Sequence, residues 1–170
     1  MLEATFLLRR VPAWAGSRAR RAVKTPRVHF PDTGVVGHLA GLTPARLAEE
    51  PTALGPLLES FVVSELLKHL GWSRTRAEIH HFRTHGGREV DIVLEADDGR
   101  LVGIEVKASS TVGTADMRGL EALREIGGKR FHRGVVLYTG LESLPFGPDL
   151  WALPVSALWQ LGARAVRSKR

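Results

Sequence analysis

The 170-residue chain has no cysteine. Disulfide staples and thiolate metal ligands are therefore excluded, which fits a reducing cytoplasm. No apolar run approaches the roughly 18 residues that a bilayer span requires, so no membrane association is expected. There is no G-x-x-x-x-G-K-S/T phosphate loop. The nearest fragment, Gly128-Lys129, has Leu123 where the first glycine belongs and Arg130 after the lysine, so this chain is expected to hold no ATP site. The N-terminal stretch Met1–Arg10 lacks a basic region ahead of its apolar part and a small-residue cleavage site. It reads as a strand over Thr5–Leu8 rather than as a signal peptide.

What remains is an ordinary globular composition, 44% hydrophobic and 25% charged, enough for one packed core without staples. The net charge of +6 is unevenly placed. Residues 1–30 hold seven Arg or Lys against Glu3 alone, and residues 161–170 hold four against none, whereas the middle is net acidic. Basic ends point to a polyanion such as DNA, or simply to solvated termini.

Arg27–Phe30 alternates as a short strand does. Asp32 or Thr33 caps a short helix over Val35–Gly41, and Thr43 with Pro44 opens another. Leu54–Leu70 has the best helical periodicity, with Gly71 as its stop. Glu78–Arg83 reads as a strand, His85-Gly86-Gly87 as a turn, and Arg88–Glu95 and Leu101–Ala108 as two further strands. Thr114–Ile126 is a helix stopped by Gly127-Gly128, Gly134–Tyr138 a buried strand, Trp151–Pro154 an edge strand, and Ser156–Leu161 a last helix. The expected fold class is α/β (α+β), a central mixed sheet flanked by helices.

The hairpin is the informative part. Asp97-Asp98-Gly99 suits a three-residue loop with glycine in the left-handed region. That loop sets Leu94 opposite Val102, Ile92 opposite Ile104 and Val90 opposite Val106 as one apolar face. The other face then pairs Val93 with Gly103, Asp91 with Glu105 and Glu89 with Lys107. Two carboxylates directly opposite each other are unfavourable and need a counter-charge: solvent, a lysine or a divalent cation. Gly103 leaves that face open to a backbone or ligand.

Asp91 followed by Glu105-Val106-Lys107 resembles the PD-(D/E)XK nuclease superfamily, with Val90 where the superfamily's proline often stands. The resemblance implies a restriction-endonuclease-like fold and Mg²⁺- or Mn²⁺-dependent hydrolysis of DNA. It makes Asp91, Glu105 and the Val106 carbonyl metal ligands and Lys107 the group that positions the attacking water. The superfamily's helical glutamate maps best to Glu59, with Glu65 the alternative.

Leu2–Leu8 with Pro12-Ala13-Trp14, Val28–Gly34, Leu58–Leu67, His81–Thr84, Val90–Glu95, Gly103–Ser109 and Pro154–Trp159 also resemble a bacterial family of unknown function. That module follows an AAA-type ATPase domain. The resemblance implies a protein partner supplying the ATPase module, which this chain lacks. It also admits a catalytically inactive nuclease-fold module that binds DNA or protein. The expected organisation is a basic segment 1–50 packed on a nuclease-like domain 51–160, with a basic tail 161–170. Arg83 and Arg88 are the candidate DNA-phosphate contacts. His80, His81 and His85 could form a metal site, but neighbours on a strand point to opposite faces, so they read as solvated or phosphate-facing. The four tryptophans read as core or edge anchors.

Overall fold

The computed structural model describes residue 3 and residues 5–16 and 25–160. The basic connector 17–24 and the tail 161–170 lie outside the described residues. Residues 5 and 6 form a turn, and the first strand, β1, is Arg9–Val11. The strand expected over Thr5–Leu8 is therefore displaced toward the arginines. β1 pairs antiparallel with β2, Arg27–His29.

Two short helices follow. α1 is Thr33–Leu39, where the Asp32 side chain accepts from the Val35 amide at 3.0 Å. α2 is Pro44–Glu49, where the Thr43 hydroxyl accepts from Arg46 at 3.2 Å. Each cap satisfies an amide that a helix start leaves without a partner. α3 runs Leu54–Trp72 and passes through Gly71, so the expected stop is wrong. A mid-helix glycine costs only about 1 kcal/mol, and the next residue, Trp72, packs its ring on His69 within the same helix.

The main sheet comprises β3 Ala77–Arg83, β4 Glu89–Ala96, β5 Leu101–Lys107, β6 Phe131–Tyr138, β7 Leu144–Pro145 and β8 Leu150–Pro154. Their spatial order is β3-β4-β5-β6-β8-β7. β3, β4 and β5 are antiparallel neighbours, while β5, β6 and β8 run parallel. The sheet is mixed and open, as the expected class requires. β8 is an inner strand rather than the edge, because β7 covers it.

The hairpin register follows its turn. Gly99 has φ +84°, and Val93 meets Gly103 while Ile92 meets Ile104. Beyond Ile92 the expected pairing fails. His80 pairs with Val93 but Phe82 with Val90, so Asp91 and Ile92 together oppose His81 alone. This β-bulge reverses the facing of whatever lies before it. Val90 accordingly joins Val93, Leu101 and Leu120 in one core cluster, while Ile92 and Ile104 join Val62, Val63 and Leu137 in the other. The expected Val90–Val106 pair does not form, and Glu89 does not meet Lys107.

The two clusters lie on opposite faces of the sheet. A Cβ on Gly103 would come within 2.8 Å of Leu120 and Leu123, on α4, Arg118–Gly127. Its neighbour Ile104 packs with the residues of α3. Successive strand residues point to opposite sides, so α3 and α4 sandwich the sheet. Gly103 is therefore filled by helix side chains and is not open to a ligand.

α4 approaches more closely still at Gly119, where an added Cβ would stand 1.9 Å from the Glu89 carbonyl oxygen. Backbone cannot yield there as a side chain can. Gly119→Ala is expected to cost about 3 kcal/mol or more, measured by urea unfolding. A loss below about 1 kcal/mol would mean that α4 slides freely over β4.

α4 begins later than expected. Thr114–Met117 is a 3-10 turn, and Thr114 is not its cap. Residues 157–160 are helical.

Candidate functional site

Arg27 organises the acids. It stands on β2 and reaches across to the main sheet. One guanidinium nitrogen donates to Glu59 at 2.9 Å and to Asp91 at 2.8 Å. The other donates to Glu89. Two elements thus deliver three carboxylates to one cation: α3 with Glu59, and β4 with Glu89 and Asp91. Glu89 is also held at 3.0 Å by Arg83. The bulge has a direct role here, since Asp91 is one of its two residues. Released from the ladder, Asp91 accepts through Oδ2 from the Val106 amide at 2.9 Å, a bond that ties β4 to β5 where their pairing has ended.

Glu105 lies beside this cluster, and its Oε2 is buried without a hydrogen-bond partner. Burial and the Asp91 charge push its carboxyl up to about 8. Burial and the same charge push Glu59 up to about 6. Burial works against the Arg27 charge, yet its bond to Asp91 and the fields of Glu59, Asp91 and Glu89 outweigh that and raise its pKa. The opposed carboxylates do have a counter-charge, and it is an arginine from outside the hairpin.

The structure brings Asp91, Glu105 and Glu59 together and separates Lys107 from them. The Lys107 ammonium is bound to Asp116 in the 3-10 turn. Although burial opposes it, the Gly113 amide and Lys107 hold the Asp116 carboxyl below its usual range. Glu65 is elsewhere, paired with Lys68 and accepting from the Trp159 indole at 3.2 Å. Of the two candidate glutamates, Glu59 is the one beside Asp91. Arg88 is exposed and lines a surface cleft with Arg118 and Arg124. Arg83 borders a cavity of about 530 Å³ with Arg27, His81 and His85. Contrary to expectation, His80 and His81 are both buried, in β3 where it is covered on both sides.

These residues fit a guanidinium better than a divalent cation. A magnesium ion asks for an octahedron of oxygens. Here both oxygens of Asp91 are engaged, Oδ1 by Arg27 and Oδ2 by Val106. Among the described residues, no group of three His, Cys, Asp or Glu side chains could hold a metal ion. Nor is any helix among them long and apolar enough to cross a membrane.

Residues 54–158 match the family model described as Domain of unknown function (DUF4143). The chain belongs to that family. Residues 1–46 match a second model, Domain of unknown function (DUF8612). Arg27 therefore comes from the second matched region, while the acids it binds come from the first. Two uncharacterized proteins, from Mycobacterium bovis and Mycobacterium tuberculosis, are each 25% identical over 163 residues. The match takes in 95% of this chain but 35% of each relative, so the chain spans about a third of their length. Among solved structures, an assembly of Thermococcus gammatolerans McrB AAA+ hexamers with bound McrC is similar at 13% identity. Its TM-score is 0.44, covering 59% of this chain and 27% of that one. A likeness of that size bears on neither mechanism nor partner.

Arg27 and Asp116 were not singled out from the sequence as site residues. The one available signal was the Arg27-Val28-His29 alternation, which sets two polar side chains on one face of a strand.

Proposed function

We propose that this chain is a nuclease-type module that binds DNA without cutting it, its acid cluster neutralised by Arg27 in place of a metal ion. The observation that carries the reading is the triple engagement of Arg27 with Glu59, Glu89 and Asp91. A guanidinium offers directional N–H donors and a permanent positive charge, so it satisfies planar carboxylates without coordination chemistry. The attachment of Lys107 to Asp116 supports the same reading, because it draws away the group that the PD-(D/E)XK resemblance assigns to positioning water. DNA is supported by the basic N-terminal thirty residues and by Arg83 and Arg88 at the surface. A protein partner carrying an ATPase module belongs to the proposal through the family resemblance alone.

Metal-dependent hydrolysis of DNA is the second reading, and the partnerless Oε2 of Glu105 favours it. It requires Arg27 to leave the acids.

One experiment separates the two. Purified protein is incubated with plasmid and linear DNA, with and without Mg²⁺ or Mn²⁺. Binding that weakens steeply with salt and no cleavage is the expected result. Cleavage that is lost in Glu105→Ala would establish hydrolysis instead. Binding that does not change with salt would overturn the DNA assignment.

A further inference from the structure

The loop after β6 carries an apolar side chain on a rigid mount. Leu141 is 92% exposed. A lone exposed leucine is ordinary on a protein surface. The support beneath this one is not. Tyr138 is buried, and its hydroxyl donates to the Glu142 carbonyl at 2.7 Å and accepts from the Glu142 amide at 3.3 Å. Gly140 packs against the same ring, where an added Cβ would stand 2.1 Å from the ring and 2.8 Å from the Ser110 carbonyl oxygen. The Thr139 amide donates to the Ser109 carbonyl at 3.1 Å. Both neighbours of Leu141 are thus fixed, and little backbone freedom is left to lose when the leucine meets a partner.

A cavity of about 250 Å³ lies at the other end of the sheet, between the end of α3 and the hairpin turn. Its floor is Leu70, Ala77, Leu94, Ala96 and Val102, each half-buried and so open to an incoming group. Its rim is Ser73, Thr75, Arg100 and His132, all exposed. Among the described residues no carboxylate lines it. That volume is below the roughly 300–1,000 Å³ of small-molecule sites and suits a single aliphatic side chain. Asp98 holds Nε of Arg100 at 2.7 Å, and the other two guanidinium nitrogens have no partner among the described residues. Knob and cavity cannot meet within one chain. β6 separates them, from Phe131 beside Leu101 at the cavity end to Tyr138 beside Lys107 at the loop end. Its 8 residues span roughly 23 Å.

We infer that the partner is a second copy of this chain: Leu141 of one copy enters the cavity of the next, and Glu142 meets Arg100 and His132 at its rim. The charges match. The Glu142 carboxylate has no partner of its own among the described residues, and Arg100 keeps N–H donors to offer. The buried leucine supplies the affinity and the ion pair the register. A surface that fits a different surface of its own copy makes a heterologous contact. Such contacts run head to tail into a ring or a filament and do not stop at a pair. The inference is independent of DNA and of the acid cluster.

Sedimentation equilibrium of the full chain without DNA, from about 10 μM to 1 mM, tests it. The wild type is expected to grow past two chains as its concentration rises. Leu141→Asp removes the knob, and Ala96→Phe fills the cavity from β4. Each should need at least about tenfold more protein to associate while still unfolding cooperatively. Ala77→Phe, which fills the cavity from β3, replaces Ala96→Phe if that variant does not fold. The mixture of Leu141→Asp with the filled-cavity variant discriminates further. The first keeps its cavity and the second its knob, so one intact contact forms and a 1:1 pair appears with nothing larger. A monomeric wild type, a wild type that stops at two chains, unchanged association in Leu141→Asp, or no pair in the mixture would overturn the inference.

Discussion

Arg27→Ala is expected to lower stability at neutral pH by about 3–5 kcal/mol, since removing one partner leaves charges without compensation in a half-buried place. For a domain of this size that is a fall in melting temperature of about 10 °C. The loss is large because one substitution strips the partner from three carboxylates at once. Arg27 is 26% exposed, so water screens part of the repulsion but cannot replace three directed bonds. The deficit should shrink as the solution is acidified toward pH 5. Without Arg27 the clustered carboxyls titrate above their unfolded values, and such groups favour the folded state only while protonated. Millimolar Mn²⁺ should raise the melting temperature of the variant and leave the wild type unchanged, because cation and guanidinium compete for the same oxygens. A variant that melts within about 2 °C of the wild type would remove Arg27 from the centre of the site.

Glu105→Gln should act in the opposite direction. The Glu105 carboxyl is pushed up to about 8 in the fold, from an ordinary value of 4.5. The folded protein therefore binds a proton that the unfolded chain has released. The stability linked to that proton is complete below about pH 4.5 and is lost as pH rises through 8. Glu59, raised to about 6, adds a loss of the same sign at lower pH. Wild-type stability should accordingly decline from pH 5 to pH 9. Glutamine keeps the shape of the side chain and never ionises. At pH 8.5 the variant should be more stable than the wild type by about 2 kcal/mol, with the difference vanishing near pH 4.5. Denaturant titrations at four or five pH values would reveal it. Parallel pH profiles for the two proteins would show that the Glu105 carboxyl ionises as readily in the fold as in the unfolded chain.

Much of the fold is legible in the sequence because its signals are local. The hairpin register follows from the left-handed glycine at position 99 and needs no knowledge of the rest of the molecule. Asp32 and Thr43 cap their helices for equally local reasons. Glu59 was separable from Glu65 because the two lie on different faces of one helix. The bulge at Asp91 and Ile92 was not legible. Val90, Ile92 and Val93 are all apolar, so alternation cannot reveal which of them has changed sides. The consequence reached the site directly, since the β4–β5 ladder ends at Ile92 and Asp91 accepts from the Val106 amide instead of pairing with Glu105 in register. Arg27 was hidden for another reason. Seven basic residues in the first thirty look interchangeable in composition, and only packing of the N-terminal strands selects the one that meets the acids. Lys107 followed the nearer carboxylate of Asp116, nine residues along the chain, a choice that spacing within the motif does not disclose.

The position of Arg27 in the chain also orders events during synthesis. It leaves the ribosome before every carboxylate it holds, the last of them 64 residues later. Until β4 emerges the arginine has only Glu59 to bind, so its full set of ion pairs forms late. A recombinant piece trimmed to residues 54–158 would keep the acids and leave their cation behind. Fragment boundaries drawn from family similarity alone would therefore cut through the charge balance of the fold.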